Sequence, residues 1–137
     1  MPHSSAWALQ EAIHQHLADD SGLLGLLGGP RIYDHVPRNT AYPILTFGQS
    51  VARDWTTGTE DGEEHILTLH VWSEGGSRQQ AHEIMMAVRR SLNDAPLALT
   101  DHRLVDIRHE FSEARPEADR ESYHGIVRYR AVTEPMN

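Results

Sequence analysis

The sequence has no cysteine, and none of its 137 residues is lysine. The first absence excludes disulfides and thiol chemistry and makes the cytoplasm the simplest site of synthesis. The second leaves all 12 basic positions to arginine. That pattern fits a high-GC coding bias, and it has a physical consequence, because a guanidinium pairs carboxylates in a fixed fork and suits interfaces. No apolar run approaches the ~20 residues of a membrane helix. The opening MPHSSAWALQ carries neither the basic region nor the apolar run of a signal peptide. Positive charge is scarce overall: 12 Arg against 20 Asp and Glu give a net charge of -8. A general DNA-binding surface needs clustered cations, so this balance argues against one.

What is present suits one soluble globular domain spanning residues 1–137, with 39% hydrophobic and 23% charged residues. The stretch from Glu64 to Asn93 organises it. His65, Leu67, Leu69 and Val71 alternate with Ile66, Thr68, His70 and Trp72, the period of two that a strand requires. Ala81, Ile84, Met85, Val88 and Leu92 then recur at helical spacing. Gly75 and Gly76 break the strand, and Ser77 is placed to cap the helix. The simplest packing folds this helix onto the odd face of its own strand.

An earlier helix is predicted over residues 4–19, capped by Ser4 or Ser5, with Leu9, Ile13, His16 and Leu17 on its apolar face. Leu23 to Leu27 read as a short apolar turn, and Ile32 to Val36 as a brief extended piece. A strand runs from about Tyr42 to Asp54, with Leu45 and Phe47 facing one way and Ile44 and Thr46 the other; Gly48 inside it marks a bulge or a close backbone approach. Residues 53–62 form a polar hairpin tip. A further strand is expected from Arg103 to Phe111, with Val105, Ile107 and Phe111 toward the helices. A charged loop over 112–122 leads to a last strand, Tyr123 to Glu134, with Val127, Tyr129 and Ala131 inward. Short connections favour antiparallel pairing. The expected fold is α+β: a mostly antiparallel sheet of about four to five strands with two helices packed on one face.

The second face of that sheet mixes Ile66, Trp72, Leu104, Ile126 and Val132 with Arg108, Arg128, Arg130, Asp106 and Glu110. Such a mixture of apolar, aromatic and Arg residues is typical of subunit interfaces, although a solvated face with stray apolar residues has the same composition. Candidate interface residues are Arg53, Asp54, Trp55, Ile66, Trp72, Arg108, Arg128 and Arg130. Trp55 reads equally as an anchor folded back on its own domain or as an aromatic knob for a partner.

Chemistry is harder to find. Ten histidines invite a search for metal ligands, yet none form the helical His-Glu-x-x-His pattern of a zinc protease. A site assembled through space from His65, His82 and His109 remains open, since all three point toward the helix layer. Glu60, Asp61, Glu63 and Glu64 form an acidic run without an EF-hand pattern, most simply a solvated tip. There is no Gly-x-Ser-x-Gly elbow, and the glycines from Gly22 to Gly29 lack the Lys-Ser/Thr step of a P-loop. No catalytic residue and no cofactor are expected.

The order of these segments resembles the tail terminator (tail completion) proteins of long-tailed phages and phage-like gene transfer agents. The resemblance spans most of the chain. It lies in the opening helix and Leu-rich turn followed by Arg31-Ile32-Tyr33-Asp34-His35-Val36-Pro37, and in Tyr42-Pro43-Ile44 running to Gly48. It continues through Leu69-His70-Val71-Trp72-Ser73 into the helix, Leu97 to Val105, and Gly125-Ile126-Val127-Arg128-Tyr129-Arg130. It implies a structural, non-enzymatic protein that forms a ring, usually hexameric, on the head-proximal end of the tail tube. The ring ends tube polymerisation and docks to the head-tail connector, so the implied partners are further copies of the chain, the tail tube protein and the connector, with DNA only as passing cargo and no membrane. Its place is then the head-tail junction of the particle. Two other classes are carried forward: a small metal-dependent enzyme using clustered histidines, and a generic binding module built on Trp55 and the charged loops.

Overall fold

The computed structural model describes residues 4–75, 77–118 and 123–136. Gly76 and the end of the charged loop, 119–122, lie outside the described residues. Ser4 caps the first helix, α1 (Ser5–Ala18), by accepting from the Trp7 N–H, and α1 buries Ala8, Leu9, Ile13 and Leu17. The Leu-rich segment after it is a short helix rather than a turn. Asp20 caps α2 (Ser21–Leu27), Leu23 and Leu27 are buried, and Gly28 ends it in the left-handed conformation. The capping aspartate is what a reading of Leu spacing alone passes over.

Five strands form one sheet in the order β1-β2-β3-β5-β4: β1 (Ile32–Tyr33), β2 (Ile44–Asp54), β3 (Glu63–Trp72), β4 (His102–Pro116) and β5 (Tyr123–Pro135). Among the described residues only the β1–β2 pair is parallel. Between β3 and β4 runs α3 (Arg78–Leu92), capped by Ser77 and burying Ala81, Ile84, Met85, Val88 and Leu92. The three helices share one core with the inward side chains Leu45, Leu67, Leu69, Val71, Ile107, Val127, Tyr129 and Ala131. The fold is therefore α+β with its helices on one face, three of them where two were expected, because α2 adds a short one.

Two corrections concern β4. The ladder with β5 slips between Leu104 and Asp106 and again between His109 and Phe111. Each bulge reverses the alternation of side chains. Leu104 therefore packs against the core, while Val105 and Phe111, expected inward, are 53% and 41% exposed. The second correction is length. The segment expected as a loop from residue 112 continues as strand to Pro116, which pairs with Tyr123.

Gly48 serves both purposes read from the sequence. The β2–β3 ladder slips between Phe47 and Ser50. A Cβ at Gly48 would also sit 2.3 Å from His70 Nε2, so the glycine lets the imidazole lie against the strand backbone.

Candidate functional site

The sheet face opposite the helices is the candidate site. It is organised around a buried carboxylate. Glu64 is 4% exposed although no helix covers it. Arg130 Nε donates to its Oε2 at 2.6 Å from β5, and Arg53 Nε donates to its Oε1 at 2.5 Å from β2. The register delivers both, since Glu64 pairs with Arg53 on one side and with Val132, next to Arg130, on the other. These hydrogen bonds, first from Arg130 and then from Arg53, hold the Glu64 carboxyl below its ordinary range. The Arg130 guanidinium also stacks over the Trp55 ring at 5.2 Å. Trp55 is thus tied back to the sheet at the hairpin base, as the anchor reading expects, while the residue stays 48% exposed.

Toward the other end of the face an aromatic and histidine cluster takes over. Trp72 stacks on His124 with centroids 3.8 Å apart and planes 7° from parallel. Trp72 Nε1 donates to Thr46 Oγ1 at 3.2 Å. His124 Nδ1 lies 2.7 Å from Glu117 Oε1, and its Nε2 lies 2.6 Å from His70 Nδ1. A carboxylate only accepts, so His124 Nδ1 donates to Glu117; His124 Nε2 of the neutral ring then accepts from His70 Nδ1. Burial pushes the pKa of both histidines down; for His124 the Glu117 hydrogen bond works against that, while for His70 the neighbouring His124 and Arg115 add to it. The chain holds the pair neutral at neutral pH.

The other candidate residues distribute as follows. Ile66 is half-buried on this face, beside Arg130 in the register. Arg128 lies over the Phe111 ring at 5.2 Å, a contact that the second β4 bulge creates. Arg108 is the most open, with 71% of its side chain exposed and a 3.2 Å ion pair to Asp106. Asp54 departs from the group: it pairs with Glu63, whose other partner is the inward Thr133, so it lies on the helix side and accepts from the Thr56 N–H. Sequence reasoning missed Glu64 as the pivot, having placed it in a solvated acidic run. The signal was present, because β-strand alternation from Leu67 puts Glu64 on the same face as Arg130.

The histidines proposed as a metal site are not gathered. His65 is fully buried and bonded to Thr133 Oγ1 at 2.9 Å; His109 meets Ser112 Oγ at 2.5 Å; His82 stands near Tyr123, at the far end of the sheet from His65. Among the described residues no three His, Asp or Glu side chains form a group that could hold a metal ion. No helix among them is long and apolar enough to cross a membrane.

No curated protein matches the chain. Among solved structures, a chain from the "Virion of native gene transfer agent (GTA) particle" superposes with a TM-score of 0.89 at 28% identity, over 96% of this chain and 98% of that one. A family model described as Tail completion protein gp17 matches residues 11–134. That span takes in the organising Glu64–Asn93 stretch and nearly the whole sheet, and the chain therefore belongs to the tail completion protein gp17 family.

Proposed function

We propose that this tail structural protein forms a closed ring, six-membered by the family resemblance, at the head-proximal end of a tail tube. There it ends tube polymerisation and joins the tail to the head connector, with DNA passing through the central channel. It carries out no catalysis. The observation that carries this reading is the two-way coverage of the gene transfer agent match. A fold that matches a virion chain over 96% of this chain and 98% of that one supports the same structural use.

The open face supports the ring. A closed cyclic assembly needs a heterologous contact, one surface on each copy meeting a different surface on the next. Arg108, Arg128, Phe111 and Trp55 stand exposed or half-buried on a face with no helix, in the mixture of Arg and aromatic residues that interfaces favour. The net charge of -8 suits a channel through which DNA slides, because each Arg–phosphate contact adds grip. The test is electron microscopy of tail tubes incubated with the purified chain. A ring-shaped cap on one tube end, with no further growth, is expected. Uncapped tubes that keep lengthening would overturn the reading.

A further inference from the structure

An open groove on the helix side lies between the last turns of α3 and the edge strand β4. It has a volume of about 540 Å³ and is lined by Met86, Arg89, Arg90, Asn93 and His109. Two features set it apart. Met86 is 51% exposed, an apolar side chain at the groove wall. Arg89 and Arg90 pair with no carboxylate among the described residues, in a chain with 20 acidic residues. Among the described residues Arg90 donates from Nη2 to Met86 Sδ at 3.3 Å, and Arg89 acts on the chain through its charge near His109 and Tyr129. Their last-turn position suits the helix dipole, which makes two adjacent cations tolerable there without giving them a partner.

The complementary element lies at the opposite edge of the sheet. The β2–β3 hairpin tip carries Glu60 and Asp61 exposed and, among the described residues, outside any ion pair. At this end β2 is outermost, because β1 pairs only with Leu45 and Thr46. The tip is preformed: the Trp55 N–H donates to Gly62 O and the Thr57 N–H to Glu60 O, both at 2.8 Å. The Arg130–Trp55 stack fixes its base. A preformed tip loses little entropy on docking.

We propose that the acidic β2–β3 tip of one copy of the chain docks in the basic α3–β4 groove of the next. The inference rests on the ring reading and adds to the open sheet face a second contact, made by the tip of one copy and the groove of the next. The sheet order β1-β2-β3-β5-β4 places tip and groove on opposite edges, two different surfaces as a head-to-tail contact requires.

The test uses the absence of native cysteine. Met86→Cys and Glu60→Cys are made singly and together; both positions are exposed and outside the core. On mild oxidation at assembling concentration, the double variant should give a covalent ladder of oligomers, and neither single variant should dimerise with itself. In parallel, Arg89→Glu with Arg90→Glu, and Glu60→Arg with Asp61→Arg, should each raise the concentration for half-assembly at least about tenfold through like-charge contact, and a mixture of the two should recover assembly. A ladder that stops at one closed size supports contact and ring together. A ladder without end keeps the contact and overturns the closed ring. An assembled wild-type ring with no bond between positions 60 and 86 keeps the ring and overturns the contact. Self-dimers of Met86→Cys, or no bond under any assembling condition, also overturn it.

Discussion

Arg130 and Glu64 are joined across the open sheet face at 2.6 Å, and that one bond separates the residues that hold the fold from those free to meet a partner. Arg130 faces the outside of the sheet, but it is committed within its own chain. Its loss leaves Glu64 a buried carboxylate with one partner instead of two. Arg130→Ala should therefore lower the unfolding midpoint of the isolated chain by several degrees, whatever happens to assembly. Arg108→Glu, at a side chain 71% exposed, should leave the midpoint within about 2 °C and act on assembly alone. Thermal unfolding followed by circular dichroism separates the two; equal midpoints for both variants would mean that the Glu64 cluster is not structural.

Acid should expose the same cluster. Glu64 has a lowered pKa, so its contribution is present above the ordinary Glu value of about 4.3 and is lost as pH falls through the lowered value. Glu64→Gln should be less stable than wild type at pH 7 and should lose less on going to pH 3. Urea titrations at the two pH values read the difference, and parallel curves for the two proteins would refute it.

The histidine pair acts in a higher window. His70 and His124 are lowered from an ordinary value near 6.5, so the unfolded chain takes up their protons first. Stability is then full above about pH 6.5 and declines as pH falls below it. His65 and His109 are lowered too and add to the same slope. The groups facing the pair are Arg115 and Glu117, together with Glu113 near His124. His70→Gln should remove part of the slope between pH 7 and pH 5 without touching the acid limb assigned to Glu64. The His70 and His124 ring signals in NMR titrations should move below pH 6.5; titration of either above it would contradict the burial argument.

The two β4 bulges predict an asymmetry between neighbours that look alike in sequence. Leu69→Ala, in the fully buried centre of β3, should cost about 2–5 kcal/mol. Val105→Ser, on an exposed bulge residue, should cost no more than about 0.5 kcal/mol. A large loss at Val105 in chemical denaturation would return it to the core.

These contrasts show what local sequence carries. The alternation from His65 to Trp72 and the spacing from Ala81 to Leu92 each obey one period without interruption, so both elements and their buried faces were legible. The β4 strand was legible only to its first bulge, because no residue type announces an inserted Val105 or Glu110; the ladder with β5 decides them. Gly48 was the exception, since the glycine itself marked the spot. The extension of β4 to Pro116 was hidden by charges that suit a loop and an edge strand equally. Within the candidate site, Trp72, Arg128 and Arg130 were placed by alternation alone. Asp54, a candidate from the hairpin segment, lies on the other face from them, and the role of Glu64 emerges only when β2 and β5 flank it.

The most direct measurement of the central claim is native mass spectrometry of the purified chain over a concentration series, repeated on tail tubes carrying it. The account predicts one closed oligomer, of six subunits by the family resemblance, present either at high concentration or on the tube. Monomer throughout, on tubes as well as in solution, or a mass series that grows without closing, would contradict it.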